Sequence, residues 1–161
     1  MSNRFKKIFS NKSQKTKMIA YFVACYPNFE QSLEIIKKSI DAGVSICEIG
    51  FPTQEASGEG IVIKNAHDHC LERNITLKDT LKLARAVRDY NKDVGIILMG
   101  YMSNIFRYPI DNFVKDLAAA DSDGCLIVDA PHELKEEQQL RNALNKENLS
   151  LIKLVAPTTT E

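Results

Sequence analysis

The chain has 161 residues, 44% hydrophobic and 26% charged, ordinary values that fit one globular domain spanning 1–161. Its formal net charge is zero, which argues against non-specific binding to nucleic acid or to a membrane surface. No apolar run reaches the roughly 18 residues of a membrane span, and the start lacks the apolar core of a signal peptide, so a cytoplasmic protein is expected.

The charge is unevenly placed. Residues 1–29 hold six Lys/Arg and no acid, leaving a net −6 on the remainder. Within 1–17, Phe5, Ile8 and Phe9 fall at i, i+3 and i+4, which predicts a short amphipathic helix followed by a basic linker. A solvated helix is preferred over a targeting segment there. Met18 to Cys25 is apolar throughout, as expected of a strand covered on both faces. Asn28 and Gln31 form a capping-box pattern, and Phe29, Leu33, Ile36 and Ile40 make one helical stripe that stops at Ala42-Gly43.

The second strand, Val44 to Ile49, carries one carboxylate, Glu48, near its C-terminal end. Burying an ionised Glu costs several kcal/mol unless it is paired or protonated, so Glu48 is a candidate catalytic group. The competing reading is a Glu on a half-exposed edge strand. A Gly50-Phe51-Pro52 turn follows, then a loop holding Glu55, Gly58, Glu59 and Gly60. A charged side chain at the C-terminal end of a parallel strand, beside a glycine-rich loop, is where a βα-barrel places its catalytic groups.

Ile61 to Leu71 reads as a helix. His67 and His69 project about 200° apart on it and cannot share a metal, so they are read as surface residues or as supports behind a site. Thr76 and Asp79 cap a helix with the stripe Leu77, Leu81, Ala84 and Val87. The third strand is Val94 to Met99, followed by Gly100-Tyr101 and a loop containing Asn104 and Phe106; Asp111 is the expected cap of the helix carrying Phe113 and Leu117. The fourth strand, Cys125 to Val128, ends in Asp129, read equally as a site residue or as a cap of the following turn. Glu133 to Leu144 is a charged helix, and Leu151 to Val155 a fifth strand before Pro157-Thr158.

Strand and helix alternate with short connections, which predicts right-handed βαβ units and a parallel α/β sheet. The four widely spaced cysteines, with no C-x-x-C, are expected to be reduced core thiols. Neither G-x-G-x-x-G nor G-x-x-x-x-G-K-[ST] occurs, so a nucleotide site has no support.

Several motifs, in order, resemble the alpha subunit of tryptophan synthase: Cys47-Glu48-Ile49-Gly50-Phe51-Pro52 with Glu59-Gly60, Leu98-Met99-Gly100-Tyr101 with Asn104 to Tyr108, Asp123 to Pro131, and Leu154 to Thr159. The resemblance implies a (β/α)8 TIM barrel, of which this chain holds about the first five βα units. A full barrel takes about 250 residues.

It further implies a lyase of tryptophan biosynthesis that cleaves indole-3-glycerol phosphate to indole and glyceraldehyde 3-phosphate. The chain itself would need no cofactor and no metal. It would pass indole to a beta subunit, which alone would carry pyridoxal phosphate, in an alpha2beta2 assembly. Carried over, Glu48 is the general acid–base at the indole C3 and Glu59, in place of the family's Asp, assists proton removal from the indole nitrogen. Phe22, Tyr101 and Asp129 would line the substrate pocket or support its loops, and Pro52, Glu55, Asn104 and Pro131 would face the partner. The sequence departs from the family at Gln54-Glu55-Ala56, at Ile61 in place of Pro, and in the loop Val23 to Pro27, which lacks a residue and the family's Gly. It stops before a sixth strand. The alternative is a truncated, catalytically dead alpha chain that acts at most as a binding partner of the beta subunit.

Overall fold

The computed structural model describes residues 2–11, 16–130, 134–155 and 157. After helix α1 (Asn3–Ser10), strands β1 (Met18–Val23), β2 (Val44–Gly50), β3 (Gly95–Gly100), β4 (Gly124–Ile127) and β5 (Ser150–Ile152) form one sheet in the order β1-β2-β3-β4-β5. Every neighbouring pair is parallel. The crossovers carry α2 (Phe29–Asp41), α3 (Ile61–Glu72), α4 (Leu77–Tyr90), α5 (Met102–Phe106), α6 (Ile110–Ala119) and α7 (Lys135–Lys146). The result is an open, partial α/β barrel.

The period of two along each strand sorts side chains onto two faces. Cys47, Ile49, Ile96, Leu98, Cys125 and Ile127 join the helices in the larger core, while Ile46, Ile97 and Leu126 form a smaller inner cluster with Phe5 of α1. The pairing Tyr21↔Glu48 and Glu48↔Ile97 puts Tyr21 and Glu48 on that same inner face.

The first helix is more than a solvated appendage. Phe5 is buried beneath the strands' N-terminal ends, and a Cβ at Gly95 would meet its ring at 2.9 Å. Arg4 reaches Asp121 at 2.9 Å, Asp123 at 3.2 Å and the Lys92 carbonyl at 3.0 Å. The other Asp123 oxygen accepts from Arg88 and from the Ile96 N–H, each at 2.9 Å, and both Arg88 and Asp123 are fully covered. Removing one member of a buried pair strands the other charge. Asp123→Ala should therefore destabilise the natural gene product by about 3–5 kcal/mol in denaturant unfolding, without touching the opposite end of the sheet.

Several expected boundaries shift. The first strand stops at Val23 because Cys25 adopts a left-handed backbone, φ 61°, and its start is far from covered, with Met18 60% exposed. The expected Asn104–Phe106 loop is the short helix α5, started where the Asn104 side chain accepts from the Tyr101 N–H at 3.3 Å. The Asp111 cap is not formed. Pro109 occupies the cap position and Asp111 sits in the first turn of α6, where its charge still favours the helix dipole. The fifth strand is Ser150–Ile152, shorter than expected, since β5 pairs with β4 alone among the described residues. All four cysteines are buried and free, and burial holds their thiols up at about 11 to 12.

Candidate active site at the strands' C-terminal ends

Glu48 projects from β2 into the concavity of the sheet, a cavity of about 830 Å³ whose walls include Ile19, Ile46, Ile97, Leu151 and Val155. No hydrogen bond or ion pair to its carboxylate is formed among the described residues. Burial against these apolar walls raises its pKa above the ordinary carboxylate value. A carboxyl so placed is suited to delivering and retrieving a proton.

The second carboxylate arrives on a different element. A 3-10 turn, Ala56–Glu59, ends in Gly60, whose φ of 87° is a conformation that a side chain would strain. That turn aims Glu59 back over the sheet, where the Tyr101 hydroxyl donates to its Oε1 at 2.6 Å. Its Oε2 lies 3.9 Å from His67 Nε2, and its charge acts on the Tyr21 phenol. Burial first, and then the Glu59 charge, push the pKa of both phenols well up, so each remains an O–H donor.

Tyr21 is seated by a glycine. A Cβ at Gly50 would lie 2.3 Å from its hydroxyl oxygen. Behind it, Tyr21 Oη and His67 Nε2 are 2.9 Å apart, and the Thr53 N–H donates to His67 Nδ1 at 3.2 Å. On the adjacent strand Gly100 has a similar role, since a Cβ there would meet the Phe51 ring at 1.8 Å.

Of the expected site residues, Glu48 lines the cavity, while Glu59 and Tyr101 bond to each other near Tyr21, the phenol on which both the Glu48 and the Glu59 charges act. Phe22 does not line it. Its side chain packs with the helix-covered core, on the opposite face from Glu48, and Tyr21 holds the inward position. Asp129 acts on the neighbouring loop, accepting from the Met102 N–H at 2.7 Å at the start of α5. It therefore supports a neighbouring loop. Pro52 is buried within this chain and presents no face to a partner. Glu55 is exposed and accepts from Ser103, and Asn104 is half-buried. Pro131 lies outside the described residues.

Tyr21 is the site residue that sequence reasoning missed. His67 is only 1% exposed, so it is not a surface residue; of the two expected placements, support behind the site is the one observed. His69 instead donates to the Pro27 carbonyl at 2.9 Å and packs edge-on to Tyr26. Among the described residues no group of His, Cys, Asp or Glu could hold a metal ion, and no helix is long and apolar enough to cross a membrane.

The family model for the tryptophan synthase alpha chain matches residues 8–161. The chain belongs to the tryptophan synthase alpha chain family. It is 36% identical over its whole length to a tryptophan synthase of Saccharomyces cerevisiae, covering 23% of that protein. It is 37% identical over 88% of its length to the alpha chain of Caulobacter vibrioides, covering 50% of it. Among solved structures, tryptophan synthase from M. tuberculosis in its ligand-free form superposes with a TM-score of 0.90 at 27% identity, covering 99% of this chain and 64% of that one. The alpha subunit from Legionella pneumophila gives 0.90 at 30% identity, with 99% and 61% covered. The chain thus spans about half or less of the curated relatives it matches, and the five-stranded sheet is a portion of the family's TIM barrel.

Proposed function

We propose that these residues form the N-terminal portion of a lyase that cleaves indole-3-glycerol phosphate to indole and glyceraldehyde 3-phosphate, with a pyridoxal-phosphate-bearing beta subunit as partner. The observation that carries this reading is Glu48, a carboxylate in an apolar cavity with a raised pKa and no partner among the described residues. Retro-aldol cleavage needs a proton delivered to the indole C3 and one taken from the ring nitrogen; as the C–C bond breaks, its electron pair returns through the ring to the nitrogen, which is reprotonated, and the glycerol hydroxyl gives its proton back to the carboxylate that protonated C3 as the aldehyde forms. Glu48, intermittently protonated, supplies the first. Glu59, which accepts from the Tyr101 hydroxyl, takes the second. No cofactor enters these steps. The test is indole release by the natural gene product carrying these residues, measured with and without the beta subunit; absence of indole under both conditions overturns the reading.

The geometry of Glu59 sets an expectation for its variants. Glu59→Gln should lower kcat by at least ~10-fold with little change in KM, as expected when a transition-state interaction is lost. Glu59→Asp should not restore family-like activity, because the shorter side chain withdraws from the Tyr101 hydroxyl. Steady-state kinetics check both; a silent Glu59→Gln would make Glu59 a loop charge and nothing more.

A further inference from the structure

The cavity holding Glu48 belongs to the site already described, and buried Glu137 of α7, paired with the partly exposed Arg141 and Lys153, lies beside the sheet's open edge. The group that leads further is the pair Tyr21 and His67, from two elements that meet only in the fold.

Hydrogen positions along this pair follow from donor chemistry. A backbone N–H can only donate, so Nδ1 of His67, facing the Thr53 N–H, must be unprotonated. The neutral ring therefore carries its proton on Nε2 and donates it to Tyr21 Oη at 2.9 Å. With that oxygen acting as acceptor, the Tyr21 hydroxyl hydrogen is free to turn toward the Glu59 carboxylate, whose Oε2 lies 3.9 Å from the same Nε2. The order runs one way: Thr53 N–H to imidazole, imidazole to phenol, phenol to carboxylate. The Tyr101 hydroxyl closes on the other oxygen of Glu59.

Covalent structure does not couple these groups. Tyr21 stands on β1, Thr53 follows β2, Glu59 ends the 3-10 turn, and His67 is in the middle of α3. Val23, Ala66 and Cys70 pack the β1–α3 seam, with Tyr21 and Ile63 against them, so the imidazole cannot swing away. Burial, the largest effect on the ring, lowers its pKa, while the Glu59 and Asp68 carboxylates act against that. The ring is thus kept neutral and able to serve as both acceptor and donor.

We propose that Tyr21 and His67 are positioning residues that fix the carboxylate of Glu59 through a one-way hydrogen-bond chain anchored on the Thr53 N–H. Which reaction Glu59 serves rests on the function proposed above; the chain itself does not. Misplacing a reacting group by about 1 Å can cost ~100-fold in rate. The shift from losing one of two donors is smaller, and a loss of roughly 10-fold in kcat is expected.

The experiment uses the natural gene product containing these residues, with three variants. Tyr21→Phe deletes only the hydroxyl. His67→Leu deletes the imidazole's polar groups, and His67→Gln restores an N–H donor near the Nε2 position. The expected result is a roughly 10-fold fall in kcat for Tyr21→Phe and His67→Leu, KM within about two-fold, and most of the rate regained in His67→Gln. If Tyr21→Phe and His67→Leu both keep wild-type kcat while Glu48→Gln is inactive, the chain is overturned and the proposed function stands. If the wild type cleaves nothing, the functional reading falls, and nitrogen NMR of the imidazole decides the chain alone. An Nε2–H tautomer near neutral pH, with its signal moved by both Tyr21→Phe and Glu59→Gln, supports it. An Nδ1–H tautomer, or a signal indifferent to both variants, overturns it.

Discussion

Glu48→Gln should abolish indole release from the natural gene product while leaving its fold intact, and should raise its melting temperature at neutral pH. A well-placed general acid–base contributes about 10²–10⁴-fold to a rate, and the amide can neither give nor take the proton. The stability gain has a separate origin. Burial raises the folded-state pKa of Glu48 above its unfolded value. Folding is therefore unpenalised below the unfolded pKa, and loses stability as pH rises through the folded pKa and the group ionises inside an apolar cavity. Gln carries no charge at any pH. The two melting curves should converge in acid, below about pH 4, and separate at neutral pH with the variant above. A variant that melts lower than wild type at neutral pH would mean that the Glu48 carboxylate has a stabilising partner.

How much of this was legible in the residues depends on what each signal encodes. Glu48 stood out because a lone charge inside an apolar run is costly wherever the strand lies, and that argument needs no tertiary structure. Alternation of strands with helical stripes likewise carried the parallel order of the sheet. Facing was not legible in β1. Met18 to Val23 is apolar on both faces, so nothing in the strand says whether Tyr21 or Phe22 points inward. Only its register against β2, Tyr21 opposite Glu48, settles that parity. His67 was left between surface and support for a related reason: its helical angle relative to His69 excludes a shared metal but does not say which wall α3 packs on. Asp129 shows a third limit. Its oxygen was read against its own turn, whereas the N–H it accepts belongs to Met102 on the loop of the preceding strand. Local sequence grammar covers caps within one element; α5, begun from one strand's loop and supported from the next, falls outside it.

A polypeptide of residues 1–161 alone should release no indole above its own Glu48→Gln control, and should unfold without a single cooperative transition. Among the described residues β1 and β5 have no outer neighbours, and an unpaired strand edge is a template for association. The apolar side chains beside those edges are correspondingly exposed, with Ile19 at 48% and Val155 at 81%. Glu48 keeps the apolar walls that raise its pKa, but a substrate touching one wall is not held in a reactive pose. Positioning can supply about 7–11 kcal/mol of a barrier, so losing most of it lowers the rate by roughly 10⁵-fold or more, below detection for a slow lyase. The N-terminal end of the sheet should fare better, since the Arg4–Asp123–Arg88 network and Phe5 lie wholly within the described residues. Hydrogen exchange should therefore show slow amides at Ile96 and Val94 and fast ones from Lys153 to Val155. A monodisperse monomer with one sharp melt and measurable cleavage would require the five strands to close on themselves, bringing β5 to β1 across the cavity that Glu48 now lines.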